Sequence, residues 1–377
     1  MRTMIRPLLM VSLLFSAANA AAEPAIFVSS FAPEAKGGAI QAFALDAETG
    51  ALSPLEKTTG IENPFFMALS PNGKFLHAIH AVSFGGDDLD EEVAAYAIEN
   101  SRGALRLLNR QSARGSVSCY LSVDATAKTL LVSNYGGGSV ASLPIRADGS
   151  LGEAVSFFQH EGKSVDPKRQ DGPYAHSIVI SPDNRHAHAA DLGIDKIMSY
   201  RLDAATATLT PNDPPGAALP AGSGPRHLTF HPKGKHLYAI NELANTVAVF
   251  DYDAATGGLT EKQIISTLPA DFDGKSHCAD LKISPDGRFL FGTNRGHDSL
   301  ARYRIADDGT LTLLGIDPSL GKGPQNLLVT PDGRHLLCAN MAGDNVAVFR
   351  IDGESGALTP AGEPVAAVKP SCILWCP

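Results

Sequence analysis

A five-residue turn of the form Ser-Pro-Asp-Gly-Arg recurs along the chain, and its spacing constrains the fold more than any other feature. Copies start at Ser70 (SPNGK), Ser181 (SPDNR), His231 (HPKGK), Ser284 (SPDGR) and Thr330 (TPDGR), with a degenerate DATAK at Asp124, at intervals of 46 to 57 residues. That interval suits a four-stranded propeller blade and is too long for an ankyrin or leucine-rich unit. A short β-type run precedes each turn (PFFMAL, SCYLSV, AHSIVI, RHLTF, ADLKI, QNLLV) and another follows it (KFLHAI, KTLLVS, RHAHAA, KHLYAI, RFLFGT, RHLLCA). Each repeat therefore opens with a β-hairpin. A third strand comes after a loop, as in TVAVFDY and NVAVFRI, and usually leads to a fourth segment beginning with Leu. No long helical period competes with these signals.

Six turns are present, and the two termini complete a seventh repeat. Residues 369–377 (KPSCILWCP) align with the run before each turn and stop where the turn would begin. The N-terminal AIFVSS, GAIQAFAL and DAETGALSPL supply the missing strands. The last strand thus joins the first strands in one blade, closing the ring and removing free sheet edges. The predicted fold is all-β: a seven-bladed β-propeller formed as one domain over residues 23–377. The 36 Gly and 25 Pro, against only 19% charged residues, favour many short strands and tight turns over long helices.

Residues 1–22 read as a secretory signal peptide. Arg2 and Arg6 precede an apolar run from Leu8 to Ala18, and small residues follow, with cleavage expected after Ala20 or Ala22. The run is too short to span a bilayer, so the mature protein is expected to be soluble and periplasmic or secreted. A net charge of −9 offers nothing to attract nucleic acid or an acidic membrane. A monomer or weak homo-oligomer is expected. The five cysteines (Cys119, Cys278, Cys338, Cys372, Cys376) form no disulfide framework. Cys372 and Cys376 would stand about 13 Å apart along a strand, too far for a bridge.

Registering the repeats on the turn gives two columns whose residue type changes from blade to blade. Five residues before the turn stand Phe65, Cys119, His176, Arg226, Ala279, Gln325 and Ser371. In the second strand, eleven residues after the turn begins, stand Ala81, Tyr135, Leu192, Glu242, Arg295 and Met341. The column one residue earlier (His80, Asn134, Asp191, Asn241, Asn294, Asn340) is rich in Asn and reads as architectural, satisfying backbone groups where strands enter loops. The start of the first strand and the end of the second lie at the same end of an antiparallel hairpin. His176, Arg226, Glu242 and Arg295, from blades three to five, therefore converge on one sector of one face, near the channel mouth. The inserts at residues 81–92 and 157–174 fall on that face and can wall a pocket.

These four residue types define a chemistry. A His can act as general base toward water. Two Arg can hold a carboxylate or phosphate and stabilise the oxyanion of ester attack. A Glu beside Arg either stays ionised or relays a proton. Acyl transfer to or from water on a small anionic ester fits, and the lack of a G-x-S-x-G elbow argues against a covalent serine hydrolase. Tyr135, His227, His277 and Gln325 are further candidate substrate contacts. His277, Asp280 and the His297-Asp298 pair either touch substrate or brace loops. Neither a cofactor nor a metal is expected. His186 and His188 are two apart on a strand, where a packed strand surface is commoner than a metal site. The acidic GGDDLDEE insert (Asp87, Asp88, Asp90, Glu91, Glu92) lacks EF-hand spacing and reads as a solvated loop.

The segments DGPYAHSIVISPDNR, GSGPRHLTFHPKGKHLYAINE, SHCADLKISPDGRFLFGTNRGHDS and GKGPQNLLVTPDGRHLLCAN resemble the lactonase family of seven-bladed propellers. That family includes bacterial propeller-type 6-phosphogluconolactonases and fungal carboxy-cis,cis-muconate cyclases. The resemblance runs from Ala25 to Pro377 and implies cofactor-free lactone chemistry, either hydrolysis or cyclisation. It carries the family's active-site residues onto His176 (G-P-x-x-H), Arg226 (G-P-R-H), Glu242 (I-N-E) and Arg295, which the columns select independently. Where related sequences often have G-P-R-N in blade six, this chain has Gln325. The first reading is hydrolysis of a sugar-acid lactone, in the manner of a 6-phosphogluconolactonase. The alternatives are a carboxymuconate-type cycloisomerase and a non-catalytic binding propeller. Export would separate the protein from cytoplasmic phosphorylated sugars, which leaves an unphosphorylated lactone open as the substrate.

Overall fold

The Ser-Pro-Asp-Gly turn works by local chemistry. Its first residue and its third bond to each other: Ser284 Oγ donates to Asp286 Oδ1 (2.6 Å) and Thr330 Oγ1 to Asp332 Oδ1 (2.6 Å). The Gly takes left-handed φ, from 67° at Gly73 to 76° at Gly287, a conformation that costs Gly nothing. The chain then reverses and the first residue's N–H pairs across the hairpin, as from Ser284 to Phe289.

The computed structural model describes residues 25–81 and 91–377. The expected signal peptide and Asp87, Asp88 and Asp90 of the acidic insert lie outside those residues. Seven antiparallel sheets are present, each following the order of the chain outward from an inner strand. The inner strands are Pro64–Leu69, Ser118–Val123, Ala175–Ile180, Pro225–Phe230, His277–Ile283, Pro324–Val329 and Pro370–Cys376. Each contacts the inner strands of both neighbouring blades, so they ring the central channel. Pro370–Cys376 pairs with Ala25–Ser30 in the seventh blade, which closes the ring between the two ends of the chain. Among the described residues the only helical segments are two 3-10 turns, Glu34–Lys36 and Met341–Gly343, and no helix is long and apolar enough to cross a membrane.

The core is layered between blades, where side chains such as Phe27, Phe250, Phe291 and Phe349 are fully buried. Burial of this kind stabilises by roughly 25 cal/mol per Å² of apolar surface. All five cysteines are unpaired and buried. The Asn-rich column is architectural: Asn134 Nδ2 donates to Ala113 O (3.0 Å), Asn294 to Thr267 O (2.8 Å) and Asn340 to Ser319 O (2.9 Å). His186 and His188 are packed in an aromatic cluster with Phe230 and Tyr252, bonded to Tyr252 Oη (2.8 Å) and Ser199 Oγ (2.9 Å) respectively.

In every blade the pairing of the inner strand slips by at least one residue near its start, for example between Ala175 and Ser177 and between Pro225 and His227. The same slip occurs between Pro64 and Met67, Ser118 and Tyr120, Cys278 and Leu281, Pro324 and Asn326, and at Ser371. The residues left out of the ladder include Phe65, Cys119, His176, Arg226, Ala279, Gln325 and Ser371, the whole first column. A bulge re-aims the extra side chain, here toward the channel mouth.

Candidate active site

The bulges and the ends of the second strands enclose a cavity of about 320 Å³. Its wall takes Phe65, Cys119, His176, Arg226 and Gln325 from the first column, and Tyr135, Glu242, Arg295 and Met341 from the second. Phe31 and Arg169 complete it. The four principal residues predicted from the columns thus meet in one pocket, and Tyr135 and Gln325 line it as well.

Glu242 is the electrostatic centre. Its Oε2 lies 2.9 Å from Arg226 Nε and 2.8 Å from Arg295 Nη2, and its Oε1 accepts a hydrogen bond from Arg169 Nη2 at 2.5 Å. The Arg226 contact is an ion pair rather than an aligned hydrogen bond, since Nε has no hydrogen-bond partner. Burial alone would raise the Glu242 pKa, but the charges of Arg295, Arg226 and Arg169 hold it well below the ordinary carboxylate range. Glu242 is therefore ionised and its proton-relay role is disfavoured. Three guanidinium groups face one carboxylate, so the pocket carries an excess of two positive charges.

Arg226 is almost fully buried. Burial and the neighbouring Arg295 lower its pKa to about 10, which still leaves it charged at neutral pH. Its Nη1 donates to the Ala279 carbonyl of the next blade and to His227 Nε2 (3.1 Å). Arg295 is tied to backbone too, with Nη2 donating to Cys278 O (3.0 Å) and Nε to His277 O (3.3 Å). Its Nη1 donates to Gln325 Oε1 (3.3 Å).

His176 is buried against the ring of Tyr135, with Nδ1 3.5 Å from Cys119 Sγ. Burial, then the charge of Arg226, holds its pKa well below 6.5. The imidazole is neutral at pH 7 and able to accept a proton.

Two predicted contacts lie off the wall. His227 sits one residue along its strand from the bulge at Arg226 and is not among the residues lining the cavity; its ring packs edge-on against His176, 5.5 Å between centroids. Because an arginine only donates, His227 Nε2 accepts from it and Nδ1 donates to Asp280 Oδ1 (2.8 Å). Asp280 also bonds Lys282 Nζ (2.6 Å) and Asn326 Nδ2 (2.8 Å), so this network braces Arg226 from below. The His277 side chain is exposed, and only its carbonyl reaches the site, through Arg295. His297 and Asp298 brace loops: His297 Nδ1 bonds Ser299 Oγ (2.7 Å), and Asp298 Oδ1 accepts from Gly323 N (2.8 Å).

Arg169 is the residue that sequence reasoning missed. It sits in the 157–174 insert, which was placed on this face, but an insert has no counterpart in other blades and so no column to expose it. Among the described residues no group of three or more His, Cys, Asp or Glu is arranged to hold a metal ion.

A ring of seven blades, six of four strands and one whose outer position is split between two short strands, with an Arg-rich, His-bearing cavity at the mouth of the channel, defines a propeller with a polar site of enzymatic type. The family described as Lactonase, 7-bladed beta-propeller matches residues 25–375, and the chain belongs to that family. It is 34% identical over 341 residues to a 6-phosphogluconolactonase of Bacillus subtilis, covering 90% of this chain and 95% of that protein. It is 32% identical over 311 residues to a 6-phosphogluconolactonase of Formosa agariphila, covering 80% of this chain and 85% of that one. Among solved structures, the periplasmic gluconolactonase of Pseudomonas aeruginosa superimposes with a TM-score of 0.87 at 31% identity, covering 94% of this chain and 99% of that one.

Proposed function

We propose that this lactonase hydrolyses a sugar-acid lactone without a cofactor, using His176 as the base and the arginine cluster as the electrostatic partner of the reacting ester. The observation that carries this reading is a neutral imidazole in the same small cavity as three guanidinium groups gathered on one ionised carboxylate. Water positioned by His176 attacks the lactone carbonyl while the imidazole takes its proton. The negative charge moves to the carbonyl oxygen, where Arg226 and Arg295 stabilise it from fixed positions. Collapse breaks the ring C–O bond, and the alkoxide released takes the proton from His176. The hydroxy acid then ionises and frees one proton to solvent. Glu242 moves no proton in this scheme; it holds the guanidinium groups at the wall.

The homologues named above support the lactone as substrate class. The Arg excess supports affinity for an acid-bearing sugar. Export to the periplasm or beyond is proposed from the N-terminal sequence, and the periplasmic location of the Pseudomonas gluconolactonase is consistent with it.

A pH-stat assay over a panel of sugar lactones, phosphorylated and not, tests the reading. Acid release above the spontaneous rate, lost in Arg226→Met, is expected. A blank across the panel, alongside turnover of an unsaturated dicarboxylate, would replace hydrolysis with cyclisation.

A further inference from the structure

We infer that Arg169 is the specificity-determining residue for an anionic substituent on the substrate, presented to the pocket by a loop that Asp195 locks in place. This rests on the lactone-hydrolase reading above and adds which end of the site selects the substrate.

The three guanidinium groups are not held alike. Arg226 and Arg295 are anchored to backbone carbonyls of blade five, at Ala279 and at His277 and Cys278. Among the described residues, Arg169 is held by side chains: Glu242 Oε1 at 2.5 Å and, weakly, Tyr135 Oη at 3.5 Å. Its side chain is also the most exposed of the three, at 33% against 2% and 27%. Glu242 keeps two other cations when Arg169 turns away, so an incoming carboxylate or phosphate can take the third at small electrostatic cost.

The loop beneath Arg169 is correspondingly rigid. The buried Asp195 carboxylate accepts four hydrogen bonds: from Ser164 Oγ (2.5 Å), Gln170 Nε2 (2.8 Å), Gly222 N (2.7 Å) and Gly224 N (2.6 Å). Two of these donors flank Arg169, and two belong to the Gly-Ser-Gly-Pro segment that leads into Arg226. Asp298 and Asp344 occupy the same turn in blades five and six, with the same left-handed backbone (φ 54° and 51°, against 51° at Asp195). Their carboxylates brace only neighbouring backbone, Asp298 from Gly296 N and Gly323 N, Asp344 from Lys369 N. The common device braces the next blade. Among the described residues, Asp195 is the member of this set that also clamps an inserted loop, one that carries a cation to the pocket.

The test compares wild type, Arg169→Leu, Arg169→Lys and Asp195→Asn on 6-phosphogluconolactone and on unphosphorylated gluconolactone. In Arg169→Leu the ratio of kcat/KM for the phosphorylated over the unphosphorylated lactone should fall about 10- to 100-fold, the worth of one charge-assisted contact. The loss should sit in KM, Arg169→Lys should recover part of it, and Asp195→Asn should shift the same ratio by less. Equal losses on both lactones in Arg169→Leu would overturn the inference while leaving hydrolysis intact. Calorimetric binding of inorganic phosphate gives a readout independent of turnover. Weaker binding by Arg169→Leu than by wild type supports the assignment, and equal binding overturns it even if neither lactone is hydrolysed.

Discussion

Two sectors of the same rim share a backbone and differ in chemistry. In blades three to five, the bulge and the second-strand end carry His176, Arg226, Glu242 and Arg295. In blades one, two and six, the same positions carry Phe65, Cys119, Gln325 and Met341, which line the cavity beside them. The bulge is present in both sectors, so it is a property of the fold and not of the site. The less polar sector still matters to the charged one. Beside it, the Arg226–Glu242 pair is buried (2% and 6% exposed) and interacts at reduced local dielectric, whereas Arg295 and Arg169 stay partly open to solvent. Specialising a propeller face thus required changes of side chain at fixed positions, plus one inserted loop.

The comparison breaks most directly at His176. Replacing it with Ala should lower kcat about 100- to 10,000-fold, as expected for loss of a general base. Acid release measures the effect, and a retained far-ultraviolet dichroism spectrum shows that the fold survives. Turnover close to wild type would place the base elsewhere on the rim. Because the His176 pKa lies well below 6.5, the acid limb of kcat/KM should also lie well below that value. A limb centred near 6.5 would contradict the buried, cation-facing histidine described above.

Glu242→Gln removes the one carboxylate among the described residues that line the cavity while leaving its shape. Arg226 then loses its direct counter-charge and keeps only the more distant Asp280, behind His227, so urea unfolding should show a loss of about 3 kcal/mol. A loss well under 1 kcal/mol would mean that solvent, rather than Glu242, balances the arginines.

The two sectors also share a weakness to acid. Burial lowers the pKa of His77, His80 and His227 to about 4 and that of His188 to about 3. Each is neutral when folded and binds a proton near 6.5 when unfolded. Their contribution is therefore complete above pH 6.5 and is lost as pH falls from there toward 4. Each histidine should contribute a slope of about 1.4 kcal/mol per pH unit in that window. Chemical denaturation at several pH values checks this, and a flat profile from pH 7 to 5 would refute it. The depressed Glu242 pKa adds a further loss at lower pH, below its unfolded value of 4.5.

The smallest expected effect comes from extending the charged sector into blade six. Gln325→Arg places a guanidinium where Gln325 Oε1 now accepts from Arg295 Nη1 at 3.3 Å. The repulsion should cost about 1 kcal/mol where solvent screens it, and inorganic phosphate should restore stability by bridging the two cations. A variant as stable as wild type without phosphate would show that blade six tolerates charge as well as blade four does.

Much of this was legible in the sequence. The turn depends on bonds between residues two apart, so it repeats in the sequence as in space, and Ser70, Ser181, Ser284 and Thr330 announce their hairpins. Closure followed from KPSCILWCP matching a first strand with no turn after it. His176, Arg226, Glu242 and Arg295 stood out because repetition supplies its own background: a charged residue shows against Phe, Ala or Met at the equivalent position. His227, one step along its strand from Arg226, lies off the cavity wall because successive side chains alternate faces. His277 stands outside both columns, and its carbonyl rather than its ring reaches the site, through Arg295.

By itself, the sequence determined the blades, their number, the closure between the termini and the four polar residues at equivalent strand ends, because each depends on local or periodic pattern. Only the tertiary structure decided the bulges that aim the first column into the channel, the sharing of Glu242 among three arginines, and the ionisation of that group beside a neutral His176. It alone brought in Arg169, 73 residues before Glu242. The physical reason is that charge state and side-chain reach depend on burial and on partners supplied by other blades, and no pattern within one repeat records which neighbour will be 3 Å away.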